Sequence, residues 1–432
     1  MVLWTIALTA VVLVATQAAA WRDAGAGRQA VAEVRARWAA RAGLEAMVAA
    51  LAAATLDPQS AGGLVVLDDL AEVAEGTLWM ASYGVSHDTA QGPVVGPSDA
   101  HSRPNVNLLN EEELMTLPGM TPDIAQAIMD WTDPDDDARE SGAESGHYLS
   151  SRRFPYAPRN APMRSIAELE LVAGVTPQMV RGEDWNLNGL LDPEEDDGPV
   201  SWPPDDADGV LSAGWSGLLT SVSASGGLGR SGEERLDLAS AEDDEIAEVA
   251  GLSLAQAQAI AAYAAQEGAT MAELLRTDPA SLPGQEASAS PTVRGAAASP
   301  EPLTNEQLAA LFDECSIGPP AAAGPGRLNV NTCPPEVFEY LPSIDPAVAD
   351  AIMFEREARR SAGGFASVID LLEIPSMSRA RLADLVELLD VTSNVYCVTS
   401  RGRDHSTGLE VELVAVVDRS SLPIVIQDLR TP

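Results

Sequence analysis

Three patterns of apolar positions follow one another along the chain. Residues 2–20 (VLWTIALTAVVLVATQAAA) carry no charge, and the run is near the minimum length for a membrane-spanning helix. Helix formers continue over 21–54, punctuated by Arg22, Arg28, Arg35, Arg37 and Arg41, while Val31, Val34, Trp38, Leu44, Met47 and Leu51 trace an apolar stripe. One long helix, half in lipid and half against a head domain, is expected; a cleaved signal peptide ending near Ala18-Ala19-Ala20 is the rival reading. At the far end the period drops to two: Val395, Cys397 and Thr399, then Val411, Leu413 and Ala415, then Ile424 and Ile426, with a turn at 404–408. That alternation predicts a small antiparallel sheet. Residues 62–84 read as a strand or two, followed by a Gly-, Pro- and Ser-rich linker to about residue 102.

Between these ends the spacing is helical, and it repeats. A segment recurs without a gap at 103–128, 235–260 and 327–352. Arg103, Arg235 and Arg327 open the copies; Val106, Leu238 and Val330 hold the fourth position; Leu117, Val249 and Leu341 the fifteenth; Ile128, Ile260 and Ile352 close. Each copy predicts two short helices around a tight turn, the second capped by Thr121, Ser253 or Asp345, with Pro122 and Pro346 at first helical positions. This is the helix-hairpin-helix pattern. A shorter echo follows each copy, starting at Ser165, Thr270 and Ser367. The stretch 279–301 is low in complexity and reads as a connector.

One loop carries specific chemistry. Residues 184–195 follow the spacing D-x-N-x-N-G-x5-E of a calcium loop. A hard cation needs six to eight oxygens on a sharply turned backbone. Asp184, Asn186 and Asn188 offer side-chain oxygens, Gly189 the turn, Leu190 a carbonyl, Asp192 the ninth position and Glu195 a bidentate carboxylate, so Ca2+ is the expected cofactor. Pro193 and Pro199 oppose a regular exiting helix, which favours a structural loop over a sensor that opens. A second cluster, Asp130, Asp133, Asp135, Asp136 and Asp137, is less specific: a shared cation and a solvated acidic loop both fit.

Composition narrows the function. The formal charge of −39, from 65 acidic against 26 basic side chains, opposes nucleic-acid binding, whose affinity comes from Lys and Arg on phosphates. Four scattered histidines, without HExxH, GxSxG or a phosphate loop, give no enzyme signature, and a non-catalytic role is expected. Cys315, Cys333 and Cys397 cannot all pair; a Cys315–Cys333 bond and buried thiols are both open.

Several phrases together resemble the type II secretion system protein K family, the large minor pseudopilin of the general secretion pathway. They are Val2-Leu3-Trp4, Ala40-Arg41-Ala42-Gly43-Leu44, Asp130-Trp131 with Gly142-Ala143-Glu144, Leu328-Asn329-Val330-Asn331-Thr332 with Pro335-Glu336, Gly364-Phe365-Ala366-Ser367-Val368, and the tail 395–418. The resemblance implies an α+β fold: a long N-terminal helix, a pilin-like antiparallel sheet, and a large inserted all-α domain holding the helix-hairpin-helix repeats. It implies a single-pass inner-membrane protein with its bulk in the periplasm, at the tip of a pseudopilus, bound to other minor pseudopilins and meeting secreted substrate proteins. It also implies calcium in the inserted domain.

The corresponding division is a transmembrane helix at 1–21, stem helix and first strands at 22–102, a first repeat module with the calcium loop at 103–200, a second, diverged module and linker at 201–301, a third module at 302–390, and closing strands at 391–432. Three departures stand out. Family members usually start with a basic leader ending in Gly, whereas this chain starts in the apolar run, so either Met1 is an internal start or processing differs. The family usually carries fewer repeats, and the copy at Arg235 has Asp237 and Ala239 where the others have Asn. The alternative, from another class, is a membrane-anchored helix-hairpin-helix DNA receptor of the competence type. The turns here keep neither the second Gly nor the base of a phosphate-holding hairpin, and Asp123 and Asp345 sit where a phosphate would lie.

Overall fold

The computed structural model describes residues 1–56, 70–89, 92–150, 154–200, 202, 204–283, 300–319, 324–359 and 363–432. Much of the connector at 279–301 therefore lies outside the described residues. Helix α1 runs unbroken over Val2–Leu56. Strands β1 (Glu75–Leu78), β2 (Ala81–Thr89), β3 (Gly92–Val95) and β4 (Ser98–Asp99) follow it. The closing strands are β5 (Val395–Asp404), β6 (Glu410–Asp418) and β7 (Val425–Arg430). All seven form one sheet, in the order β1-β2-β5-β6-β7, with β3 also on β2 and β4 also on β5. Every pairing in it is antiparallel. The stretch expected to be a linker thus supplies two short strands: Pro93 sits on an edge, where no ladder donor is needed.

The C-terminal half of α1 lies across this sheet. Leu44, Met47 and Leu51 bury against Val85, Tyr396, Val398, Ala415 and Val417. Nearer the N-terminus the expected stripe inverts. Val31, Val34 and Trp38 are exposed, and Ala32, Ala36, Ala39 and Ala40 are the buried positions. Close approach selects those small residues. A Cβ on Gly402 would come within 2.0 Å of the Ala36 carbonyl oxygen, and one on Gly43 within 2.4 Å of Ser400 Oγ. Ser400 Oγ donates to the Ala40 carbonyl at 2.8 Å, and Arg419 Nε donates to Thr55 Oγ1 at 2.8 Å. Residues 2–17 are exposed throughout.

Strand β5 forms where the period of two placed a strand. Tyr396 and Val398, not Cys397 and Thr399, face α1. Both faces of β5 are covered, so its apolar alternation carries no single phase.

The middle of the chain forms a helical region with its own continuous core. Val106, Leu238, Val330, Ile128, Ile260 and Ile352 are all buried in it. The three copies differ in detail. The first places Glu111–Leu114 before Pro122–Thr132; the second Asp243–Ala250 before Leu254–Ala264; the third a 3-10 turn, Pro335–Tyr340, before Pro346–Ala358. The fifteenth position is buried at Leu117 and Leu341 but 41% exposed at Val249, where Ala250 turns inward instead. Capping boxes at Asn110/Glu113 and Ser253/Gln256 satisfy the first free N–H groups of their helices.

The opening of each copy is built alike. Asn105, Asp237 and Asn329 each accept the N–H two residues on, at 3.0, 3.0 and 2.8 Å. Asn107 then exchanges two hydrogen bonds with the backbone of Met163, and Asn331 does the same with Phe365. Ala239 has no amide to do so. In the second copy the Tyr263 hydroxyl makes the tie, donating to the Thr270 carbonyl at 3.1 Å and accepting its N–H at 2.8 Å.

Candidate metal centre

The loop 184–195 leaves the short helix Pro177–Arg181 and folds back on itself. Leu187 (φ 56°) and Gly189 (φ 73°) take left-handed conformations at its fourth and sixth positions, which produces the sharp turn. Asp184 accepts the N–H groups of Asn188 and Gly189 at 2.9 and 3.1 Å. Asn186 Oδ1 accepts from Asn188, and Asn188 Oδ1 from Leu190, at 2.9 and 2.7 Å. Glu195 returns to the start of the loop, taking the N–H groups of Trp185 at 2.8 Å and Asp192 at 3.1 Å.

Four of the expected side chains, those of Asp184, Asn186, Asn188 and Glu195, therefore fold onto the loop's own backbone, and Leu190 is buried beside them. Asp192 behaves differently. Its Oδ2 accepts the amides of Asn186 and Asn188, and its Oδ1 pairs with Arg401 at 3.0 Å. Asp184, Asp192 and Glu195 do not form a set of carboxylates within 4.8 Å of one another.

The loop sits on the outer face of the sheet rather than within the first helical module. Thr399 on β5 donates to the Asn188 carbonyl at 2.7 Å, and Asn188 Nδ2 donates to Glu412 on β6 at 2.8 Å. Asp88 on β2 accepts the Leu191 N–H at 2.7 Å, while its own N–H reaches the Gly189 carbonyl at 2.8 Å. Arg430 on β7 donates to the Leu187 carbonyl. Four strands thus hold one loop. Of these anchors, only the cross-strand pair Arg401 and Glu412 had a sequence signal, since the hairpin register sets them opposite each other.

Electrostatics make the loop unusual. Asp184 and Glu195 are 4% and 6% exposed. Burial pushes their carboxyls up to about 6 and about 7, against the downward pull of the N–H groups they accept. Among the described residues neither has a salt-bridge partner. Buried acids without a salt-bridge partner, an all-oxygen donor set and a glycine at the sixth position fit a hard divalent cation.

The second acidic cluster regroups. Asp130 and Asp133 converge with Glu144, which the sequence grouping left out, while Asp135, Asp136 and Asp137 stay exposed. The phosphate-binding alternative finds an acidic cap: Asp345 Oδ1 accepts the Ala347 N–H at 2.9 Å at the start of the helix Pro346–Ala358. His101 is structural, its ring bridging the Arg327 carbonyl and the Asn394 N–H. All three cysteines are free, and burial pushes the thiols of Cys315 and Cys333 up to about 12.

A long helix whose second half lies on an antiparallel sheet, with a helical region inserted between the strands, defines a pilin-like α+β protein. Residues 97–182 match the first domain, and residues 328–392 a further domain, of the family described as type II secretion system (T2SS), protein K. The chain thus carries two segments that match that family, which supports its place among the minor pseudopilins of the secretion pathway. Among solved structures it is similar to the GspK-GspI-GspJ complex from the enterotoxigenic Escherichia coli Type 2 Secretion System, at 13% identity and a TM-score of 0.43, over 94% of this chain and 99% of that one. No curated protein matches.

Proposed function

We propose that this minor pseudopilin caps the periplasmic tip of a type II secretion pseudopilus and supports protein secretion as a scaffold without catalysis. Residues 2–21 anchor it in the inner membrane, the stem helix joins the helices of other minor pseudopilins, and the helical insert blocks addition of further subunits above it. The observation that carries this reading is the two-sidedness of α1. Its small residues face the protein's own sheet, while Val31, Val34 and Trp38, at 49, 55 and 68% exposure, face away. A bulky apolar stripe continuous with an uncovered apolar segment suits helix-to-helix packing. The three repeats serve as helix-hairpin-helix scaffold units. Trp38→Asp, on an exposed position, is expected to leave folding intact and to abolish co-purification with partner pseudopilins; undiminished recovery would sink the idea.

The loop 184–195 holds one Ca2+ in this reading. Asp184, Asn186, Asn188 and Glu195 supply side-chain oxygens, Leu190 a carbonyl, and Asp192 completes the set on release from Arg401. Its role is to brace the insert against the sheet that carries the stem. A ligand that binds the folded form alone at a hundredfold excess over Kd stabilises by about 2.7 kcal/mol. Chelation should therefore lower the Tm, and Glu195→Gln should remove most of that difference. Identical melting with calcium and with chelator would leave only an acidic turn.

A further inference from the structure

The arginines that open the second and third repeats, Arg235 and Arg327, line one cavity. Two more line it with them: Arg230, from the loop before the second copy, and Arg419, just past the end of β6. The matching Arg103 of the first copy goes elsewhere, donating to the Ser216 carbonyl and Ser98 Oγ. The cavity holds about 60 Å3, room for a few waters or one small ion. It lies where the last turn of α1, at Thr55, meets the sheet and the helical region. The side chains of Arg230 and Arg327 are 31 and 34% exposed, so it opens to solvent on their side.

Composition does not predict such a grouping. The chain carries 65 acidic against 26 basic side chains, yet here four guanidinium groups face two carboxylates, those of Asp313 and Asp390. Arg230 pairs with Asp313 at 3.8 Å, and Arg327 with Glu387 at 3.4 Å, an acid that is itself 60% exposed and holds its partner weakly. Arg235 and Arg419 pair with no carboxylate among the described residues. Arg235 donates to the carbonyls of Leu228, Phe312 and Cys315. Arg419, 9% exposed, donates to Thr55 Oγ1 and the Ser393 carbonyl. Neutral oxygens satisfy N–H groups without cancelling charge, and a buried charge is costly until it is paired. Asp313 cancels less than a full charge at neutral pH, because burial pushes its carboxyl up to about 7.

We propose that this cavity binds one free tetrahedral oxyanion of the phosphate class. With both aspartates ionised the lining keeps a surplus of two positive charges, which one hydrogen phosphate cancels. Guanidinium forks donate in pairs to phosphate oxygens. A planar carboxylate offers two oxygens, whereas groups arriving from four separate segments suit an anion that offers four. The net charge of −39 does not oppose entry, since charges beyond about 8 Å are screened at physiological salt and the local balance decides. Thr55 stands about 50 Å along α1 from Trp21 at 1.5 Å per residue, out of reach of a lipid headgroup, so the ion comes from solution. Once bound, it ties the end of the stem and the sheet to the second and third repeats.

The test is isothermal calorimetry and thermal melting of the full chain in a phosphate-free detergent, with sodium phosphate, sulfate and acetate at matched ionic strength. Phosphate and sulfate should bind one per chain and raise the Tm; acetate should do neither. Arg230→Gln and Arg327→Gln, at partly exposed positions, should each weaken phosphate at least about tenfold, the effect of losing a hydrogen bond to a charged group. Arg103→Gln, outside the cavity, should leave phosphate affinity unchanged. Asp313→Asn keeps an acceptor for Ser367 and removes a competing charge, so it should tighten phosphate, which a merely damaged fold would not do. Circular dichroism confirms that each variant is folded. Absence of saturable phosphate binding, or binding undiminished in both folded cavity variants, overturns the proposal. Acetate that binds as well as phosphate overturns the tetrahedral class, and weaker phosphate binding in Asp313→Asn overturns the charge argument.

Discussion

The first and third copies of the repeat solve one structural problem with an asparagine; the second solves it with a tyrosine. In the outer copies the amides of Asn107 and Asn331 fasten the extended opening to the echo segment that follows. The middle copy has Ala239 at that position and fastens its echo from the second helix, through the Tyr263 hydroxyl. In each copy two backbone groups of one echo residue are satisfied, while the residue that satisfies them moves by a whole element. The drift of the second copy is therefore a relocation of its tie. Its first helix is also the longest of the three, and Val249 is turned outward.

Asn331→Ala should be the most damaging test of this comparison. Asn331 also donates to the Val391 carbonyl at 3.0 Å, so three hydrogen bonds are lost, for about 2–4 kcal/mol in a denaturant melt. Asn107→Ala, with two, should cost about 1–3 kcal/mol. Equal, negligible effects at both would show that the amides are incidental. Tyr263→Phe keeps the ring and removes the tie, for about 1 kcal/mol, and its effect should be confined to exchange protection around Thr270. Ala239→Asn should change stability by less than about 0.5 kcal/mol, because Tyr263 already fastens the echo at Thr270.

A pH scan sharpens the contrast where the second and third copies meet. Asp313, on the helix Asn305–Glu314, accepts a hydrogen bond from Ser367 Oγ at 2.8 Å, and burial pushes its carboxyl up to about 7. The folded state then holds a proton that the unfolded chain has released, so stability is highest below pH 4 for this group and falls as pH rises toward 7. Asp313→Asn should flatten that part of the profile in thermal melts, and an unchanged slope would refute the assignment.

Much of this was legible in the chain. The continuous helix, the closing strands and the gapless repeats follow from periodicity, which local sterics and burial enforce directly. The phase of α1 was not, because large residues suggest an inward face and here the glycines Gly43 and Gly402 demanded small ones. The loop's own residues were readable from their spacing, since a turned backbone dictates it. Its seat on the sheet was not: Asp88 and Thr399 lie far away in sequence and carry no pattern of their own. Glu144 escaped for the same reason, being joined to Asp130 by the fold rather than by a run of acids.

The glycine contact between α1 and β5 also fixes how the protein bears load. From Ala36 to Gly43 the helix rests on the sheet almost main chain to main chain. A Cβ added at Gly25 or Gly27, by contrast, would meet nothing within 4 Å outside the helix's own backbone. The helix is a beam clamped at one end and free at the other, about 80 Å long at 1.5 Å per residue. A sideways push on its first twenty residues is taken up as bending at the unsupported glycines. A pull along its axis arrives undiminished at the central strand.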